Sequence, residues 1–160
     1  MTARTVIQSL SGAVISISAS LPATYDAAGY GATGVAFTAI GEAENYGNHG
    51  MTAAISEFTP VATAVVAKVK GSKNYGTMAM MFAHLPGNAG QVILETASES
   101  TAHFSVKIAY PVGDGESTGE IHYLDVLVSK KENQDGSVND VRKLAVDLAI
   151  CRKPVVVAAT

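Results

Sequence analysis

The chain has 160 residues, 48% of them hydrophobic and 16% charged, with a formal net charge of −3 and a pI near 5.7. This length suits one domain with a sizeable core. The net negative charge argues against a basic groove that grips nucleic acid. Few charges combined with many small and β-branched residues indicate a β-rich protein with limited solvated surface, part of which subunit contacts would cover.

Neither a disulfide framework nor a membrane anchor is indicated. Cys151 is the only cysteine, and we interpret it as a buried, inert thiol in a reducing cytosol. The longest apolar runs, residues 61–67 and 155–159, are far shorter than the ~20 residues of a membrane helix. The N-terminus resembles a signal peptide only superficially, because Gln8 and several serines interrupt its apolar region. We therefore expect a mature cytoplasmic protein that does not bind membranes.

Alternating apolar and polar residues predict three strands in the first half of the chain, at residues 14–21, 35–42 and 61–70. In the first of them, Ile15 and Ile17 share one face and the intervening serines share the other. The glycine-rich residues 22–34 predict a loop. Residues 44–59 lack clear periodicity and are predicted to be a long loop, and residues 71–76 are predicted to be a turn.

The middle of the chain predicts a strand followed by one helix. In residues 77–84 both alternating faces are apolar, which is typical of a strand covered on both sides. Asn88 is a favourable N-cap, and Gln91 stands three residues later, as in a capping box. Apolar residues then recur at helical spacing as far as Ala97, so we expect about three turns of helix packed on a sheet.

Three more strands, joined by polar loops, are predicted at residues 104–111, 120–128 and 141–152. Asp135 followed by Gly136 is a strong hairpin signal within the charged segment 130–140. The apolar tail, residues 153–160, needs a surface to lie on, either its own or a neighbour's. About seven strands and one helix predict a single α+β, mainly β domain over residues 1–160, built as an antiparallel sandwich or barrel.

No catalytic or metal-binding constellation is recognisable in the sequence. The chain contains four histidines whose spacing does not aim two imidazoles at one metal: His49, His84, His103 and His122. His122 and Asp125 stand three apart in a predicted strand and therefore lie on opposite faces. Glu42 and Glu44 share a face, and we interpret them as a solvated edge rather than an acid–base pair. We predict that the chain is not an enzyme and uses no cofactor.

Several stretches, taken in order, resemble the major tail tube proteins of long-tailed, non-contractile bacteriophages. They are ISISASLPATYDAAGY at 15–30, VAFTAIGEAENYG at 35–47, KGSKNYGTMAMMFA at 70–83, NAGQVILETASES at 88–100 and FSVKIAYP at 104–111. The order of the predicted elements also matches that family over roughly residues 12–150. None of these motifs is catalytic.

The resemblance implies a small β-sandwich flanked by a helix, six copies of which form a ring whose inner sheets join into one barrel. Rings would stack into a hollow tube that double-stranded DNA passes through without specific binding, with other tail proteins at the tube ends. The chain would then be a virion tail component, assembled in the cytoplasm of a bacterial host. Residues 1–11 and 153–160 become candidate arms to neighbouring subunits, and residues 44–59 a loop that reaches the adjacent ring.

The resemblance also assigns expectations to particular residues. The candidate inter-ring contacts all lie in the 44–59 segment: Tyr46, Asn48, His49, Met51 and Phe58. The candidate lumen-facing acids, whose charge would repel DNA phosphates, are Glu42, Glu44, Asp125 and Asp147. An exterior position for these acids is an equally open alternative. Segment 130–140 matches no role in the family and is interpreted as an exterior feature or an axial contact.

Other classes of protein stay open at this point. The tube subunit of a contractile phage tail or of a type VI-like secretion machine is similar in fold, so architecture alone does not identify the machine. A monomeric binding module would present exposed aromatic residues along one face, and an enzyme would present a catalytic constellation. The sequence favours neither of these two.

Overall fold

The computed structural model describes residues 7–113 and 117–160 and is mainly antiparallel β, which confirms the predicted fold class. The strands of the described residues are β1 (Val14–Ser18), β2 (Thr38–Ala39), β3 (Ala43–Asn45), β4 (Thr52–Phe58), β5 (Ala67–Asn74), β6 (Thr77–Ala83), β7 (Phe104–Ala109), β8 (Ile121–Gln134), β9 (Lys143–Ile150) and β10 (Val155–Val157). The helices are α1 (Ala27–Tyr30) and α2 (Ala89–Glu99).

Eight strands form one curled sheet in the order β2-β1-β7-β8-β9-β6-β3, with β10 also paired to β8. The two ends of this order, β2 and β3, are separated in sequence only by residues 40–42, so the sheet curls until its ends meet. The backbone N–H of Ile40 donates to the carbonyl of Ile15 at 2.9 Å, and the hydroxyl of Tyr46 donates to the carbonyl of Ala13 at 2.8 Å. The first bond continues the pairing of β2 with β1, and the second joins the residue after β3 to the residue before β1, so it links the two ends of the sheet.

The hydrophobic core lies inside the curled sheet. Because alternate side chains of a strand point to the same face, buried core residues recur at every second position along four long strands. They include Met78, Met80 and Phe82 on β6, Val106 and Ile108 on β7, Leu124 and Val126 on β8, and Leu144, Val146 and Leu148 on β9. The opposite face of β6 is not covered by the chain: Ala79 is exposed and Met81 half-buried.

Helix α2 is fastened to the junction between β2 and β3. Asn88 is the predicted N-cap, and its Oδ1 accepts from the backbone N–H groups of Gln91 at 3.1 Å and Gly41 at 3.3 Å. The Gln91 side chain does not complete a capping box. Its amide nitrogen donates to the carbonyl of Ala83 at 2.8 Å, and its oxygen accepts from the backbone N–H of Leu85 at 2.9 Å. Gln91 is therefore a buried bridge between helix and sheet.

An aromatic cluster attaches residues 19–37 to the outer face of the sheet. The ring of Tyr30 stacks on that of Tyr123 of β8, with centroids 5.0 Å apart and planes 6° from parallel. The guanidinium of Arg152 lies over the ring of Tyr25 at 4.1 Å. The long loop before β2 is thus anchored by specific contacts on its own chain.

The C-terminal tail lies on its own sheet, and the prediction that residues 153–160 form an arm to a neighbour stays a prediction. Strand β10 pairs with residues 121–123 of β8, in line with β9 on the same side of that strand. The carbonyl of Thr160 then accepts from the backbone N–H of Thr118 at 3.0 Å. Of the predicted N-terminal arm, residues 1–6 lie outside the described residues, and residues 7–11 are exposed.

Three further predictions are corrected. The predicted strand at 35–42 contains only β2, and β3 begins directly after Glu42, which adopts a left-handed backbone conformation with φ of 56°. The predicted strand at 61–70 begins later and continues to Asn74, through most of the predicted turn. Cys151 is exposed rather than buried, although partial burial and the nearby Asp125 carboxylate raise the pKa of its thiol.

Candidate assembly surfaces

Strands β4 and β5 form a two-stranded hairpin that is separate from the main sheet. This corrects the prediction of a long loop at residues 44–59, which contains the end of β3 and all of β4. Every residue of both hairpin strands is exposed except Ala53, which is half-buried. Because an isolated two-stranded hairpin is at best marginally stable in water, this segment is a candidate for burial against another subunit.

The hairpin exposes an unusual share of the large apolar side chains of the chain. The exposed apolar residues of this segment are Met51, Ile55, Phe58, Val61, Val65, Val66 and Val69. Phe58 is 67% exposed and Val61 fully exposed. Exposed apolar residues concentrated in one segment mark an interaction site more often than scattered surface apolar residues do.

The hairpin is also basic, although the chain as a whole is acidic. It carries three lysines on β5 and a single acid, Glu57 of β4. The Nζ of Lys68 pairs with the Glu57 carboxylate at 3.0 Å. Lys70 and Lys73 have no carboxylate partner among the residues that the structure describes. A positive hairpin on a negative body favours contact between the hairpin of one copy and the body of another.

The linker between β3 and β4 holds the base of the hairpin against the sheet. Gly47 has φ of +68°, and a Cβ at this position would lie 2.1 Å from the carbonyl oxygen of Ala79, so glycine is required for this close approach. The Nε2 of His49 lies 3.0 Å from the Nδ1 of His122 on β8. The hairpin thus extends from a fixed base.

The structure separates the predicted inter-ring residues into two groups. Asn48, Met51 and Phe58 are exposed and stay candidates for contact with another ring. The expectation for Tyr46 is corrected, because its ring belongs to the core cluster and its hydroxyl is bonded to Ala13. His49 is half-buried and has its contact within the chain.

The structure also divides the four acids that were predicted to face the lumen into two groups. The side chain of Asp125 is 1% exposed and is bonded to the Nδ1 of His103 at 2.8 Å and the Nε of Arg152 at 2.9 Å. It therefore offers no free carboxylate to a channel wall, and that prediction is corrected. Glu42 is exposed, Asp147 is half-buried, and Glu44 is exposed beside the Nζ of Lys143 at 2.8 Å. These three acids stay candidates.

A groove of about 430 Å³ lies at the base of the hairpin, between it and the main body. Its lining includes His49, Met51, Lys73, His122 and Lys153. In residues 7–113 and 117–160, no group of three or more His, Cys, Asp or Glu side chains is arranged to hold a metal ion. Over the same ranges, no helix is long and apolar enough to cross a membrane.

Comparison with solved structures shows that the chain has the tail-tube fold. A chain in the cryo-EM structure of the anti-feeding prophage baseplate matches with a TM-score of 0.70 and 12% identity, over 99% of this chain and 98% of its own. A chain in the sheath/tube terminator of the extracellular contractile injection system PVC matches with a TM-score of 0.69 and 9% identity, over 96% and 98%.

A chain of the SPP1 tail tube matches with a TM-score of 0.57 and 11% identity, over 91% of this chain and 76% of its own. At these identities the likeness concerns the fold. Neither a protein-family model nor a curated protein sequence matches this chain. The fold implied by the resemblance of the sequence to tail tube proteins is therefore confirmed at the level of structure.

Proposed function

We propose that this chain is the structural subunit of a bacteriophage tail tube, in which six copies form a ring and stacked rings form a hollow tube. Double-stranded DNA would pass along the tube without specific binding, and other tail proteins would occupy its ends. The chain would be a virion tail component assembled in the bacterial cytoplasm. It would act through assembly, with no catalytic role and no cofactor.

The observation that carries this proposal is the exposed β4–β5 hairpin on a full-length tail-tube fold. The hairpin has apolar side chains on a segment that its own chain leaves uncovered. Association would bury these side chains at roughly 25 cal/mol per Å² of apolar surface. Head-to-tail contacts between subunits produce a ring when the rotation from one subunit to the next closes on itself. A second set of contacts, which does not close, adds ring upon ring and produces a stack.

The three remaining candidate acids fit a channel through which DNA slides. Glu42, Glu44 and Asp147 would repel phosphates if they faced the lumen, and a net charge of −3 per chain amounts to about −18 for a ring of six. Lys70 and Lys73, which have no carboxylate partner within residues 7–113 and 117–160, favour a position for the hairpin against an acidic neighbour rather than free in the channel.

A second candidate is the tube subunit of a contractile tail or secretion machine. It is supported by structural matches to chains from two contractile injection assemblies, with TM-scores of 0.70 and 0.69, while a chain of the PVC sheath-tube complex matches with 0.57, the same score as the SPP1 tail tube chain. A tube of this kind would be surrounded by a sheath and would present an exterior that binds it.

Negative-stain microscopy of the purified chain tests the proposal, with a hairpin-deleted variant as the comparison. Thr52 and Asn74 are cross-strand partners, so two glycines can join Met51 to Tyr75 in place of residues 52–74. We expect hollow filaments from the intact chain and folded, unassembled subunits from the variant, with cooperative unfolding as the check on folding. Normal filaments from the variant would overturn the role of the hairpin.

The two candidate machines differ in what surrounds and fills the tube. Particles carrying this chain are expected to contain nuclease-protected double-stranded DNA and no sheath if the tube belongs to a non-contractile tail. Copurification of a sheath protein in equal copy number would instead support the contractile machine.

A further inference from the structure

Two histidines from separate elements meet at the base of the hairpin, and a carboxylate orients one of them. The Nε2 of His122 contacts the Oε1 of Glu120, two residues earlier on the same strand end. The carboxylate accepts the Nε2–H, which leaves the lone pair of neutral His122 on Nδ1. That Nδ1 accepts from the Nε2–H of His49 at 3.0 Å. This series of hydrogen bonds, from His49 to His122 to Glu120, therefore places a proton on the Nε2 of each histidine.

The spacing of the two ring nitrogens suits shared coordination of one metal ion. Two nitrogens that each lie about 2.0–2.1 Å from a metal are about 2.8–3.4 Å apart, as the angle at the metal goes from 90° to tetrahedral. The observed separation of 3.0 Å lies in this interval. The two rings are nearly perpendicular, at 86°, and Tyr110 packs edge-on against His122 with centroids 4.9 Å apart.

We propose that His49 Nε2 and His122 Nδ1 bind a divalent transition-metal ion of the kind that prefers imidazole, such as Zn²⁺, Ni²⁺ or Cu²⁺. Binding of the ion replaces the hydrogen bond between the two rings, and the proton of His49 moves from its Nε2 to its Nδ1. Glu120 acts as the outer carboxylate that fixes the orientation of a metal-binding histidine. Solvent in the adjoining groove completes the coordination, because only two protein ligands are present.

The surroundings set the strength of this site. A metal ligand must be deprotonated, so the neutral imidazole is the form of each histidine that binds. The groove also contains Lys73 and Lys153, and their positive charges oppose a cation. We therefore expect one weak site per chain, independent of the tube function proposed above.

Calorimetric titration of Zn²⁺ into the untagged full-length chain at pH 7.5 tests the site. We expect one ion per chain, with affinity at least about tenfold weaker in both His49→Gln and His122→Gln. Glu120→Gln keeps both histidine ligands. We expect its Zn²⁺ affinity to be about tenfold weaker, because the contact between the Glu120 carboxylate and His122 is weakened. The matched control is His84→Gln, since His84 lies before α2 and contacts neither ring; its affinity should equal that of the original chain.

A spectroscopic measurement identifies the ligands directly. Electron paramagnetic resonance of bound Cu²⁺ should show coupling to two nitrogens in the original chain and to one in His49→Gln. Because His49 lies in a linker, this variant is informative even if His122→Gln does not fold. Absence of Zn²⁺ binding, unchanged affinity in His49→Gln, or equal loss in His84→Gln would overturn the proposal.

Discussion

The buried carboxylate of Asp125 pairs with the guanidinium of Arg152, with Oδ2 and Nε 2.9 Å apart, and so ties β8 to the segment between β9 and β10. The same carboxylate bonds to His103, and the Asp125 carbonyl accepts from the backbone N–H of Cys151 at 2.8 Å. Because β10 follows this segment directly, the ion pair also fixes where the C-terminal tail joins the sheet.

We predict that Asp125→Asn lowers the free energy of unfolding by roughly 2–3 kcal/mol. The change removes two charge-assisted hydrogen bonds from a buried group, each bond of this type contributing about 1.5–3 kcal/mol; relief of the carboxylate's desolvation offsets part of the loss. Urea unfolding of monomeric protein measures the difference. Asp147→Asn is the control. We expect its free energy of unfolding to stay within about 0.5 kcal/mol of that of the original chain, because Asp147 is half-buried and has no ion pair among the described residues. Equal effects of the two substitutions would contradict the assignment.

The pH dependence of stability should reveal the His49–His122 contact. The folded-state pKa of His49 is lowered by burial and by His122, so the unfolded chain binds this proton more readily. The stabilisation is therefore fully present above about pH 6.5 and declines as the pH falls through and below that value. We expect the original chain to lose more stability than His49→Gln between pH 7 and pH 5, measured by urea unfolding. Parallel curves for the two proteins would show that His49 does not contribute.

Gly90 allows α2 to pack against the strand end at Ala39, and we predict that Gly90→Ala is destabilising. A Cβ at Gly90 would lie 2.4 Å from the carbonyl oxygen of Ala39 and 2.7 Å from the Cα of Ile40. Overpacking costs roughly 1–3 kcal/mol. We expect a cost near the upper end of this range, because the added Cβ has to displace backbone atoms. This cost is larger than the ~1 kcal/mol by which a helix prefers alanine to glycine. Thermal unfolding should show a clear decrease in the melting temperature. Gly87→Ala, which meets nothing within 4 Å, should leave it nearly unchanged.

The elements that the sequence predicts well are those in which burial imposes a regular period. Strand β9 alternates because one face lies in the core, and α2 is preceded by a capping residue that forms its expected bond. The hairpin lacks this signal, because neither face of β4 is buried and a bulge between Ala53 and Ile55 interrupts the alternation.

The site residues were less predictable because their roles depend on contacts between distant parts of the chain. Glu44 and Asp125 are both acids that were expected to face the lumen, yet one is exposed and the other lies beneath Arg152, 27 residues away. His49 and His122 are 73 residues apart and meet only because the linker crosses the sheet. No local pattern distinguishes such residues from ordinary surface residues.

Charge placed on the hairpin should block assembly without unfolding the subunit. We predict this for Ile55→Asp and Phe58→Asp, made separately, because the two residues are 56% and 67% exposed in the single chain. If assembly buries either side chain, the loss of roughly 1.5–3 kcal/mol of apolar burial weakens association about ten- to hundredfold. Sedimentation velocity over a concentration series measures the shift, with urea unfolding as the check that each subunit stays folded.

Val138→Asp is the matched control for this pair, since Val138 is 98% exposed in the turn that joins β8 to β9. The same chemical change there should leave the assembly concentration unchanged if the β4–β5 hairpin is the contact. Residues 55 and 58 are an odd number of positions apart in β4, so their side chains lie on opposite faces of the hairpin. A strong effect of one and a weak effect of the other would therefore identify the buried face, whereas assembly of both variants at the original concentration would exclude the hairpin from the interface.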